Sequence, residues 1–431
     1  MTMKEGINLT MTEITKLNVI QSVIDHKRTG LEASEVLKIT PRQVWRLVKK
    51  VKAGGFEGIK HGNKNRIPAH AISSDLKEKI ITLKNSDKYC DANFTHFKEL
   101  LEEKENIKIS YSAIYNILSS NNISSKKKHS ARRTHRRRKR KSAEGDLVQA
   151  DGTPFDWFKD GNMYSIHGFI DDATGKILGL YMCEHECLLG YLEVTRQMLQ
   201  NYGIPRCLYP DKYSVFFPAV GQKITVEEEL QGKQKPTTQY MRIMNVLGIN
   251  MFAASTSQAK GRIERLWNTL QDRLVTEFKI NNVTTIETAN IFLLKYIKIY
   301  NKKFSVSPES EITKFAIVPN YIDLNLLLSS RLERVIDNAG TFTINNKRFQ
   351  IVDNKILPRA KVDIYINKKN GIFVYHKDTK YKVICINNVP NSYSTLTLNQ
   401  ICNENSIEVQ NYALELLQEN AKAEIPILTS S

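Results

Sequence analysis

The stretch "SQAKGRIERLWNTLQDRL", residues 257–274, decides how the rest of the chain is read. Ala259, Ile263, Leu266, Leu270, Leu274 and Phe278 recur at steps of three and four, the period of an amphipathic helix with one buried stripe. Ser257 stands where an N-cap belongs. Beside the stripe, Glu264 stacks at helical spacing with Lys260, Trp267, Asn268 and Gln271. Taken alone, Glu264 reads as a solvated charge paired with Lys260 one turn away. Whether it does more depends on what the other elements bring beside it.

A chain of 431 residues is too long for one ordinary core and implies about three domains. Its 63 Lys and Arg against 45 Asp and Glu leave a formal charge of +18, which favours a polyanionic partner through phosphate contacts, nucleic acid first. No apolar run approaches a membrane span and the N-terminus lacks a signal-peptide core, so no membrane partner and a cytoplasmic, nucleoid-associated protein are expected. Cys90, Cys183, Cys187, Cys207, Cys385 and Cys402 form no disulfide framework, which fits a reducing compartment. "CEHEC" at 183–187 hints at zinc, but it alternates like the end of a strand and no second ligand pair follows; buried thiols are the expectation.

Upstream, "TEITKLNVIQSVID" and "GLEASEVLKIT" read as two helices. A third opens at "TPRQVWRLVKKVKAGG", with Thr40 as N-cap, Pro41 at the first helical position and Gly54 as stop. Three short helices ending in a basic one suggest a helix-turn-helix, with Arg42, Gln43, Arg46 and Lys49 on the helix that would meet DNA. A second helical module runs from about Ser74 to Asn122 and ends in "SYSAIYNILSSNNI", where Ser110 again precedes a helix. The run "KKKHSARRTHRRRKRK", 126–141, carries Arg132, Arg133, Arg136, Arg137 and Arg138; it is expected to stay extended or disordered until phosphates neutralise it.

From about Gly145 the pattern changes to strands. "DLVQADGTPFDWF", "MYSIHGFID" and "KILGLYMCEHE", separated by "KDGN" and "DDATG", predict a three-stranded antiparallel meander. The helix "LLGYLEVTRQMLQNYG", the strand "RCLYPD", the helical "TTQYMRIMNVLG" and the strand "INMFAAS" then lead into the opening helix. This is the element order of an RNase H-like fold, which gathers Asp151 on the first strand, Asp211 after the fourth and Glu264 at one sheet edge. Three carboxylates brought together repel unless cations intervene, so such a site suits divalent metals. Asp156, Asp171 and Asp172 lie near turns, where aspartate commonly bonds its own backbone.

The blocks "ADGTPFDWF", "YPDKYSVFF" and "TSQAKGRIERLWNTLQDRLV" resemble the DDE transposases and retroviral integrases, and within them bacterial insertion-sequence transposases of the ISNCY family. The resemblance spans nearly the whole chain. It implies an RNase H-like core, Asp151, Asp211 and Glu264 as catalytic and metal-binding acids, and Mg²⁺ or Mn²⁺, two ions per site. It also implies DNA nicking and strand transfer at element ends by a homo-oligomer, at least a dimer on DNA. The spacing from Asp211 to Glu264 exceeds that of compact integrases, and the surplus holds the acidic run Glu227, Glu228, Glu229; Glu264 is kept because it lies on the helix. Many relatives carry Lys or Arg at the position of Gln271, so Lys260 or Arg265 is expected to face the DNA here.

The expected architecture is a multidomain α plus α/β chain. A helix-turn-helix domain at 1–60 and a second helical or helix-turn-helix module at 61–123 lead through a basic linker at 124–144 to the RNase H-like catalytic core at 145–305. A connector at 306–334, a small β-barrel at 335–390 read from "GTFTINNKRFQIVDN" and "KVDIYINKKNGIFVYHKDTKYKVICIN", and a weakly packed tail at 391–431 with one helix around "VQNYALELLQENAKAE" complete it. The rival function is a DNA-binding regulator derived from a transposase; three acids in matching contexts argue against it.

Overall fold

The computed structural model describes residues 10–59, 71–125, 138–218, 237–253, 260–352, 355–386 and 409–418. Ser257, Arg132, Arg133, Arg136, Arg137 and Glu227 to Glu229 lie outside the described residues. The chain divides into two compact units, 1–80 and 81–431.

In the first unit, α1 (Met11–Ile24), α2 (Gly30–Leu37) and α3 (Pro41–Gly54) pack around Ile20, Val23, Ala33, Val44, Val48 and Val51. Each helix starts in a capping box, from Thr10 to Glu13, Thr29 to Glu32 and Thr40 to Gln43. α3 stops as expected at Gly54, with Gly55 at φ 60°.

α4 (Ser74–Asn85), within which the division falls, is followed in the second unit by α5 (Phe94–Lys104) and α6 (Tyr111–Ser120). This module is docked on the core through charges that the sequence did not pair. Glu99 of α5 accepts from Arg273 at 2.6 and 3.2 Å and meets Lys303 at 2.5 Å. His96 Nε2 lies 3.0 Å from Glu277, and Lys279 reaches Asp91 at 2.8 Å.

The core sheet contains β1 (Val148–Phe155), β2 (Tyr164–Asp171), β3 (Ile177–Cys183), β4 (Cys207–Tyr209) and β5 (Asn250–Met251), in the order β3-β2-β1-β4-β5. β1, β2 and β3 are antiparallel neighbours; β4 runs parallel to β1, and β5 to β4. Side chains alternate along β2 between the two faces. His167 and Phe169 meet α7 (Leu188–Asn201), while Ile166, Gly168 and Ile170 face α9 (Gly261–Ile280) and α10 (Ile286–Phe304). α8 (Gln239–Leu247) joins α7 on its side through Tyr240 and Ile243. Gly168 is required by this packing: a Cβ there would come within 2.6 Å of the Trp267 ring.

Six further strands, β6 (Ser330–Val335), β7 (Thr341–Ile344), β8 (Lys347–Ile351), β9 (Lys361–Asn367), β10 (Gly371–His376) and β11 (Thr379–Cys385), form one antiparallel sheet. Its two edges, β6 and β7, are consecutive in the chain, as in a barrel left open along one seam. The expectation of a weakly packed tail fails for 409–418. This stretch is helical, as its sequence suggests, but it buries Val409, Tyr412, Ala413, Leu416 and Leu417 in the same core as Ile344, Phe349 and Ile364. Its apolar residues share that core with the inward side chains of the curled sheet.

The basic run also departs from expectation where it is described. Arg138 and the backbone N–H of Lys141 donate to the buried carboxylate of Asp172, and Arg140 donates to the carbonyls of Asp172 and Ala173. Buried carboxylate and turn carbonyls here do what phosphates were expected to do. No described helix is long and apolar enough to cross a membrane.

Candidate active site

The parallel pairing of β1 with β4 sets Gln149 opposite Tyr209. Asp151 and Asp211 each lie two residues beyond that pair, Asp151 still on β1 and Asp211 past the end of β4. Their carboxylates share one ammonium. Lys260 Nζ is 2.6 Å from Asp151 Oδ1 and 4.0 Å from Asp211 Oδ2. The other oxygen of Asp151 accepts from Trp267 Nε1 at 2.9 Å, and Asp211 accepts from the backbone N–H of Tyr213 at 3.1 Å.

α9 meets β1 in a regular register. Gln149, Asp151 and Thr153 lie on one face of the strand; opposite them, one helical turn apart, come Ile263, Trp267 and Gln271. Gln149 Oε1 accepts from the backbone N–H of Ile263 at 3.1 Å, satisfying a donor that α9, which has no side-chain cap, leaves open. Gln149 Nε2 donates in turn to Asp172, and Arg262 lies 3.6 Å from the same carboxylate.

The helix therefore begins at Gly261 after Lys260, and the buried stripe of Ile263, Leu266, Leu270, Leu274 and Phe278 is as the periodicity predicts. Glu264 is exposed on the first turn, flanked by Lys260 and Trp267, which touch Asp151. Among the described residues it makes no ion pair or hydrogen bond. The expected pairing of Glu264 with Lys260 is thus replaced by one between Lys260 and Asp151, because a partly buried carboxylate at 2.6 Å outcompetes an exposed one. Asp151 and Asp211 are brought together; Glu264 is placed on the adjoining helix face without contact to them, and no described cluster of three acids, histidines or cysteines stands ready to hold a metal ion.

Sequence reasoning missed Glu186. Its carboxyl covers Gly152, where a Cβ would come within 2.8 Å of Cδ, and it accepts from the Tyr191 hydroxyl. Burial holds this carboxyl above the usual range, and the charges of Asp211 and Asp151 push the same way. Tyr213, which holds Asp211, also donates through its hydroxyl to the carbonyl of Glu186 at 3.2 Å. The two cysteines around Glu186 drew the reading toward metal chemistry; both are buried free thiols, and His167 Nε2 accepts from the Cys187 backbone N–H at 3.0 Å. No pattern in the sequence marks Glu186, since only the β3 to α7 turn carries it over Gly152.

The remaining acids divide. Asp171 caps its turn as expected, accepting from Thr174 N–H and Oγ1 and from Gly145 N–H. Asp172 does more than close a turn, being fully buried and anchoring Gln149, the guanidinium groups of Arg138 and Arg262, and the backbone N–H of Lys141. Asp156 makes no turn bond through Oδ1, which is buried and without a partner.

Of the residues expected at DNA, Arg42, Arg46, Lys49 and Arg265 are exposed. Gln43 is exposed too, but its side chain closes the capping box by accepting from Thr40 N–H at 3.1 Å. Lys260 is buried among the acids and does not present its charge outward, whereas Arg138 is engaged by Asp172 while its side chain stays 39% exposed.

No family model matches the chain. It is 34% identical over 369 residues to the transposase for insertion sequence IS1202 of Streptococcus pneumoniae, covering 78% of this chain and 77% of that one. It is 30% identical over 364 residues to the putative transposase y4bF of Sinorhizobium fredii (strain NBRC 101917 / NGR234), covering 84% and 77%. Among solved structures, the HTLV-2 integrase catalytic core domain matches at 14% identity and TM-score 0.25, over 35% of this chain and 84% of that one, a likeness too slight to bear on the fold.

Proposed function

The chain belongs to the insertion-sequence transposases, and we propose that it acts as one, binding the ends of its element and joining them to target DNA by phosphoryl transfer. One observation carries the reading of the site: Asp151 on β1 and Asp211 just past the end of its parallel neighbour β4 face the same cation, beside the helix turn that bears Glu264. In this reading the second unit contains an RNase H-like core, supported by its antiparallel meander, two parallel strands and helices on both faces.

The donor set fits a hard divalent cation, because carboxylate oxygens already converge on a positive charge and a third carboxylate stands one turn along the helix. Asp151, Asp211 and Glu264 would hold Mg²⁺ or Mn²⁺, two ions per site. When bound, the metal supplies activation of the attacking water or 3′-hydroxyl and charge to stabilise the leaving oxygen. The chain does the positioning. Trp267 fixes the Asp151 carboxylate, Tyr213 fixes Asp211, and Gln149 fixes the start of α9.

Arg42, Arg46 and Lys49 contact element-end DNA in this scheme, the 126–137 run tracks phosphates, and the exposed Arg265 faces DNA beside Glu264. Two element ends call for at least two copies. The test is strand transfer by Asp151→Asn on element-end DNA with Mg²⁺: binding persists and joining stops. Continued joining by that variant would overturn the assignment.

A further inference from the structure

Two carboxylates placed side by side destabilise a fold unless a positive charge lies between them. In this chain that charge is built in. Lys260 reaches Asp151 at 2.6 Å and Asp211 at 4.0 Å, and the residue is 8% exposed. It leaves α9 at its very start, and its partners are more than a hundred residues away for Asp151 and on a different strand end for Asp211. With Trp267 on Oδ2 and Lys260 on Oδ1, both oxygens of Asp151 are occupied by groups from around one helix.

We propose that Lys260 is a resident counter-ion: it occupies the position between the acids that a divalent cation takes on loading, so that metal binding and the Lys260–Asp151 contact exclude one another. This rests on the reading of Asp151 and Asp211 as metal ligands. The reason is steric as well as electrostatic. A cation bridging Asp151 and Asp211, with metal–oxygen bonds of about 2.1 Å, would take the place that the ammonium holds between them and would repel it. Lys260 thus keeps the two acids folded together before metal arrives, and its attraction for them is subtracted from metal affinity. The neighbouring Gly261, around which a Cβ would meet nothing within 4 Å, leaves open space where the chain turns into the helix.

The experiment uses the full-length protein without DNA. Mn²⁺ binding is followed by the electron paramagnetic resonance of the free ion, for wild type, Lys260→Met and Asp151→Asn, with melting temperatures in EDTA alongside. Methionine keeps the apolar stem and removes the charge. Lys260→Met should bind Mn²⁺ about tenfold tighter, and should melt earlier than wild type in EDTA but not with Mn²⁺. In a second measurement on wild type, acylation of Lys260 by an amine-reactive reagent, read by mass spectrometry, should rise several-fold when Mn²⁺ is added. That readout stands even where Lys260→Met does not fold. Equal or weaker Mn²⁺ binding by Lys260→Met, or acylation indifferent to Mn²⁺, overturns the proposal. If Asp151→Asn binds Mn²⁺ as wild type does, the metal-ligand reading itself falls and takes this inference with it; if Asp151→Asn loses Mn²⁺ while Lys260→Met gains nothing, only the role of Lys260 is wrong.

Discussion

Lys260 Nζ lies 2.6 Å from Asp151 Oδ1, although Glu264 is only one helical turn along the same helix. The choice follows from burial. Asp151 sits on β1 with Trp267 already on its second oxygen, in a place where a charge is poorly screened, whereas Glu264 is surrounded by solvent. Glu264 is left uncommitted in consequence, and the two acids acquire opposite mutational signatures.

Glu264→Gln should change stability by no more than about 0.5 kcal/mol, as is usual for an exposed side chain, here one without a partner among the described residues, while abolishing strand transfer. Thermal melting and a joining assay on the same preparation check both halves. A variant that loses activity only because it melts early would place Glu264 in the scaffold instead.

Gln149→Leu should be costly without touching a carboxylate of the site. It strips the backbone N–H of Ile263 and the carboxylate of Asp172 of a partner each, which predicts a loss of about 2 kcal/mol. Urea unfolding measures it; a neutral result would mean that α9 is held by its apolar stripe alone.

The docking of α5 on α9 and α10 gives a pH prediction. Burial raises the pKa of Glu99, but the hydrogen bonds from Arg273 and Lys303 outweigh it and the net shift is downward. The unfolded chain therefore holds this proton more tightly than the folded one. The contribution is complete above the ordinary glutamate value of about 4.3 and is lost as pH falls through the lower folded-state value. Glu99→Ala should cost about 2–3 kcal/mol at neutral pH, less than a fully buried pair, because its side chain stays 20% exposed. The gap between variant and wild type should close in acid, as denaturant midpoints taken down the pH scale will show.

On α3, Arg46 and Gln43 should separate. Arg46→Ala is expected to weaken binding to element-end duplex by about 5- to 100-fold, the range for loss of one base or phosphate contact. Gln43→Ala should mainly cost helix stability, roughly 0.5–1 kcal/mol, through the opened capping box. Fluorescence anisotropy and thermal melting distinguish them; a large binding defect in Gln43→Ala with an unchanged melt would return that residue to base recognition.

What the sequence by itself determined is what is settled within a few turns of chain. The stripe from Ile263 to Phe278, the stops and caps around Pro41 and Gly54, and the apolar runs and turns that make the meander of 148–183 follow from local pattern and local hydrogen bonds, and the structure has them. The capping box of Thr40 and Gln43 was equally local. Tertiary structure decided the charges. Lys260 on Asp151, Glu186 over Gly152, Glu99 on Arg273 and Asp172 on Gln149 join residues far apart in sequence, and each depends on how β1 registers with β4 and how α9 lies across β1. The helical stretch at 409–418 belongs with them, since its apolar face has a meaning only once the six strands have curled around it. A hydrophobic period is a property of neighbouring residues, but the partner of a charge is chosen by distance and burial, and both exist only in the folded chain.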